Sequence, residues 1–192
     1  MKSSGSRNGE AKGMQVQVMF QVGEFVIHPT QGPCRIQAIE ERPTRGGTET
    51  CYVFFLGSPK DRITMTVPIE KAEAAGLRRP ITKQQAGEVL DVLRAPAGRV
   101  SQHPNNQIEW LWACLNRGAL LEIAAAARDL AATGVQAHGE LAERGFVSYR
   151  YRGKALLGQA LEQLTEELAL VQGIPKQHVK RRIEKDLRKW NR

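Results

Sequence analysis

Apolar positions along the chain alternate with a period of two as far as residue 67 and recur at helical spacing beyond residue 80. Val16, Val18 and Phe20 alternate with glutamines. Phe25 to Ile27, Arg35 to Ile39, Tyr52 to Phe55 and Ile63 to Val67 are further short runs rich in β-branched and aromatic residues. Gly23, Pro29, Gly32, Pro33, the Gly46-Gly47 pair and Gly57-Ser58-Pro59 separate them at turn positions. Five such strands within about 50 residues, with no helical period between them, predict an SH3-like or Tudor-like five-stranded barrel. The barrel sequence holds no nucleophile, base or ligand cluster, so its chemistry is that of a surface that holds a partner.

Past Pro80 the pattern becomes helical. Thr82 is placed to cap a helix starting near Lys83, with Gln85 returning the bond, and Ala86, Val89, Leu90 and Leu93 form its apolar face up to Arg94-Ala95-Pro96. Residues from Ala97 to Gln107, rich in Pro, Gly, Asn and Ser, read as a loop. A second helix is expected from Gln107 to Asn116, with Ile108, Leu111, Trp112 and Leu115 inward and Trp110 partly exposed, ended by Gly118. The third runs from Leu120 to Thr133 on the stripe Leu120, Ile123, Ala124, Ala127 and Leu130. The fourth runs from Tyr149 to Gln172 on Leu156, Leu157, Ala160, Leu161, Leu164, Leu168 and Val171. Ile174-Pro175 opens the last, where Ile174, Val179, Ile183, Leu187 and Trp190 keep helical spacing. The expected fold class is α+β, a barrel followed by an all-α helical bundle, with a disordered tail over 1–13, the barrel over 14–80 and the bundle over 81–192.

Charge sharpens this picture. The net charge of +8 is uneven: residues 174–192 carry 8 basic and 2 acidic side chains, whereas residues 97–173 carry 7 and 8. The last helix is therefore basic and amphipathic, a form that suits DNA, an anionic surface or plain solubility. Cys34, Cys51 and Cys114 lack metal-binding spacing and read as buried reduced thiols, and the four histidines fall in separate elements, so no metal or other cofactor is expected. No hydrolase or nucleotide-binding motif occurs, and Glu140, Glu143, Glu166 and Glu167 read as solvated helix positions, so an enzyme is not expected. Nor is there an apolar run of membrane-spanning length or a secretory leader, which points to a cytoplasmic protein without membrane contact, expected to be a monomer.

The barrel segments Phe20-x-Val22-Gly23-x-x-Val26, Pro29-x-x-Gly32, Ile36-x-x-Ile39-Glu40 and Val67-Pro68…Gly76-Leu77-Arg78 resemble the CarD/CdnL family of bacterial transcription regulators. The same barrel occurs in the transcription-repair coupling factor. Leu93-Arg94-Ala95-Pro96, Gly118…Ala127-Arg128-Asp129-Leu130 and Lys154…Leu157…Ala160…Leu164…Glu167-Leu168-Ala169 extend the resemblance into the helical half. It implies a barrel docked on the RNA polymerase β subunit and a helical domain against promoter DNA at the upstream edge of the transcription bubble. The two basic positions that contact polymerase in the family fall on Arg42 and Thr66, with Thr64 and Pro68 beside the latter; Arg42 reads alternatively as an ordinary charge at a strand end.

On the DNA side the resemblance marks divergence. The family's wedge tryptophan falls on Pro104, with Trp110 and Trp112 downstream, and Asn106, Gln107 and Glu109 stand where basic residues follow the wedge. Lys154 matches a lysine that contacts the DNA backbone in the family, and Arg150 and Arg152 join it. Arg128 reads as a DNA contact or as a structural partner of a carboxylate. Lys180 and Arg181 on the last helix complete the candidates, and AATGVQAHGELA between Leu130 and Glu143 is an insertion. The function so implied is a regulator that binds polymerase and, weakly and electrostatically, promoter DNA, modulating the open complex. Its alternative is a polymerase-bound adaptor that has lost DNA contact. Target promoters and the direction of regulation are not encoded in these motifs.

Overall fold

The computed structural model describes residues 19–57, 60–97, 104–132 and 146–188. The 1–13 tail, Glu140, Glu143, Trp190 and most of the 131–142 insertion, from residue 133 on, lie outside them. Four strands are described, not five: β1 (Phe25–His28), β2 (Gly32–Thr44), β3 (Gly47–Leu56) and β4 (Ile63–Pro68), antiparallel and in sequence order. Residues 16–18 of the expected first strand lie outside the described residues, and Met19 and Phe20 are not in a strand. Phe20 is buried instead by a specific anchor. The Tyr52 hydroxyl accepts from the backbone N–H groups of Met19 and Phe20, both at 3.0 Å, and the two rings pack at 5.7 Å between centroids. Tyr52→Phe leaves both donors without that acceptor and should destabilise the protein by about 1–3 kcal/mol, measurable by urea denaturation.

The sheet curls around Phe20, Val26, Cys34, Ile36, Tyr52, Phe54, Val67, Ile69, Ala72 and Leu77. Alternation works as the sequence suggests: Tyr52, Phe54 and Val67 face this core. Residues opposite one another in the ladder share a face, so Glu49, Cys51, Val53 and Phe55 of β3 lie on the outer one. A short 3₁₀ turn, Ile69–Lys71, leads to Gly76, whose φ of +77° and closeness to the Pro29 ring exclude a side chain.

Five helices follow: α1 (Lys83–Arg94), α2 (Pro104–Arg117), α3 (Leu120–Ala132), α4 (Phe146–Gln172) and α5 (Lys176–Arg188). The Thr82–Gln85 capping box is formed, and Ala86, Val89, Leu90 and Leu93 are the buried face of α1. The expected loop ends earlier than Gln107, because Pro104 is already the first residue of α2, where its fixed φ and missing N–H suit the first turn. Ile174 is exposed and precedes α5. The helices enclose a second apolar cluster, from Ala86 to Leu187, that shares no residue with the first. All three cysteines are buried and free, and no helix among the described residues is long and apolar enough to cross a membrane.

Candidate functional site

The outer face of the sheet gathers the four barrel candidates. Thr66 lies opposite Val53, Thr64 opposite Phe55, Pro68 opposite Cys51, and Arg42 opposite Glu49 across the other ladder. All four therefore share one face. They do not form one tight patch: Arg42 lies four residues along β2 from Ala38, the residue in line with Val53 and Thr66, or about 14 Å at the strand rise. Arg42 sits on the part of the β2–β3 hairpin that extends beyond the core, exposed, with its guanidinium 3.1 Å from Glu40. Between the two ends lie the small apolar side chains Ala38, Cys51 and Val53, of which Ala38 is half-buried and Cys51 and Val53 are buried, so the accessible part of this face is carried by its flanking side chains. Burial pushes the Cys51 thiol up from its ordinary pKa, with Glu49 adding to it, so it stays a thiol.

Beyond them Phe55 is exposed beneath the Arg62 guanidinium, 4.5 Å from the ring centroid, and Ile63 is the most exposed large apolar residue described. The two sheet edges differ. β1 is covered by a bridge in which Ile27 and Arg78 exchange backbone hydrogen bonds of 2.8 and 3.2 Å, while among the described residues β4 pairs with β3 alone. Among the described residues β4 is therefore an edge strand.

The chain just after this sheet is tied to α4. The Arg78 guanidinium donates two parallel hydrogen bonds, both 2.7 Å, to the two oxygens of Glu167, and the Ile81 N–H donates to the same carboxylate at 2.9 Å. The Glu167 side chain is 3% exposed, which corrects the solvated reading of that position. Glu166 is half-buried and pairs with Lys176, so it too is not a free solvated charge. One turn away, Gln163 donates to the Pro29 carbonyl at 3.3 Å, and a side chain at Gly32 would collide with the Glu166 carboxylate.

Residues 20–81 match the family described as the CarD-like/TRCF RID domain. The sheet unit is similar to a RID domain. The match ends at Ile81, the residue whose N–H meets Glu167, and it takes in Arg42, Thr64, Thr66 and Pro68. RID domains are protein-interaction domains.

The candidates of the helical half are not brought together. Arg152 and Lys154 are exposed near the start of α4, while Lys180 and Arg181 are exposed on α5, whose first residue pairs with Glu166 at the other end of α4. From Lys154 to Gln172 the helix rises about 27 Å. The side chains of Pro104 and Arg150 lie outside the described residues. Arg128 is held in the fold by Asp129 at 2.7 Å and by donation to the Val92 carbonyl at 3.1 Å.

Two readings of α2 are corrected. Trp112 is 56% exposed and Trp110 40%, so Trp112 is not packed in the bundle. The buried arc is centred on Leu111, with Gln107, Ile108, Cys114 and Leu115, and leaves the tryptophans at its opposite edges. Gln107 is buried, so it does not replace a basic residue on an outer face.

One grouping on α5 goes beyond the two residues that the sequence singles out. Val179, Ile183 and Leu187 are buried, and Arg181, Lys185 and Arg188 recur at i, i+4 and i+7 on the opposite side. Asp186 is turned inward to Arg94 at 3.3 Å, which leaves Glu184 as the acidic side chain beside this ridge, 4.0 Å from Arg188.

Proposed function

We propose that this protein is a transcription regulator whose RID domain, residues 14–80, binds the RNA polymerase β subunit through the outer sheet face and the β4 edge. Its helical domain, residues 81–192, then touches upstream promoter DNA and shifts the balance between closed and open complexes. The observation that carries the reading is the RID match over residues 20–81 together with the placement of Arg42, Thr64, Thr66 and Pro68 on one face. An edge strand with apolar Ile63 and Phe55 near one end suits addition of a partner strand, where backbone bonds give affinity and side chains give specificity. No covalent chemistry is needed, because preferential binding to one promoter state changes its population. Capture of purified polymerase β by the full-length chain tests the attachment.

The DNA arm is electrostatic, with Arg150, Arg152 and Lys154 on α4 and Lys180, Arg181 and Lys185 on α5 as phosphate-binding groups. Arg181→Glu with Lys185→Glu should lower the slope of log affinity against log salt by about 1.8 on duplex DNA, near 0.9 for each phosphate no longer neutralised. An unchanged slope in the folded variant makes the ridge a solvated face. Pro104 has a smaller apolar face than an indole, so wedge action at the bubble is weaker here or rests on Trp110. The adaptor reading draws on buried Gln107 and exposed Trp112, which turn α2 from a basic surface into an aromatic one. A slope near zero for the unmodified chain favours the adaptor.

A further inference from the structure

Among the described residues the two apolar clusters share no member, so no continuous hydrophobic seam between them fixes the angle between the RID domain and the helices. Units joined in that way move relative to one another unless polar contacts hold them. Among the described residues the polar contacts lie on one and a half turns of α4, with Gln163 on the Pro29 carbonyl, Glu166 against Gly32, and Glu167 on Arg78 and Ile81, while Gly118 at the end of α2 lies beside the Arg78 side chain. A carboxylate gripped by a planar two-pronged guanidinium resists rotation as well as separation, which a single ammonium contact does not. Arg78 is itself fixed on the RID side by its backbone exchange with Ile27.

We propose that Arg78 and Glu167 are positioning residues that lock the RID domain and the helical unit in one orientation. The lock extends to the basic helix, because Glu166 beside it pairs with Lys176 at the start of α5, and Asp186 of α5 pairs with Arg94 of α1. A partner bound on the sheet face thereby sets where the Arg181–Lys185–Arg188 ridge lies, and the helices reach DNA at a high effective concentration. The consequence for DNA rests on the function proposed above; the lock itself does not.

Amide residual dipolar couplings of the full-length chain test it, with Glu167→Gln, which keeps the shape, and Arg78→Lys, which keeps the charge. The unmodified protein should fit one alignment tensor. In each variant the couplings of the helices should need a second tensor, scaled down about twofold relative to the sheet, as expected for units moving independently. Both variants should bind polymerase β as the unmodified chain does, since neither position is on the outer face. One tensor for the folded variants overturns the proposal, and so does joint unfolding of both units in both variants, which would make the pair a folding contact. Failure of the unmodified chain to bind β contradicts the proposed function and leaves the tensor result to decide the lock.

Discussion

Glu167→Ala is expected to destabilise the protein by roughly 2–4 kcal/mol, one of the largest effects open to a single polar substitution here. Alanine leaves the Arg78 guanidinium and the Ile81 N–H facing each other with no carboxylate between them, so the cost is chiefly the desolvation of groups left unpaired. The Arg78 side chain is 30% exposed, and water entering there keeps the cost below that of a fully buried pair. Glu162→Ala, at an exposed position of the same helix, should stay within about 0.5 kcal/mol of the unmodified protein. Urea denaturation of the three proteins gives the comparison. A Glu167→Ala protein as stable as Glu162→Ala would mean that the pair contributes nothing net.

Glu167 also shows where sequence patterns stop being informative. Its partner is 89 residues away, and periodicity carries no information about such a pair. A signal is nevertheless present, since Glu167 lies in the apolar stripe marked by Ala160, Leu164, Leu168 and Val171 and not on the polar face. Features set by neighbours in the chain are legible: the Thr82–Gln85 box, the buried face of α1, and glycines at positive φ closing α2 and α4 at residues 118 and 173.

Helical spacing puts Trp112 next to Ile108 without saying how wide the buried arc is. The arc stops at Ile108, which is why the tryptophan expected inside is exposed. Phe20 has the spacing of a strand end, whereas its burial comes from the Tyr52 hydroxyl and ring, a contact made across 32 residues. The outer sheet face is legible as soon as the strands are, since pairing alone puts Arg42 and Thr66 on one side; their separation of about 14 Å along the strands becomes visible through the register.

The measurement that bears most directly on the account is the affinity of the full-length chain for purified polymerase β subunit, compared across Arg42→Glu, Thr66→Arg and an outlying control, Lys83→Glu. Reversing Arg42 adds a carboxylate beside Glu40 and Glu49 and should weaken binding about tenfold, on the order of 1.4 kcal/mol. Thr66→Arg replaces one hydroxyl by a forked cation in the row with Val53 and should tighten binding several-fold. Lys83→Glu, at the start of α1, should leave affinity unchanged. Opposite shifts for the two sheet-face variants, with each protein folded and the control unmoved, are the predicted result. Equal affinity for all four proteins would contradict the assignment of the outer sheet face to polymerase.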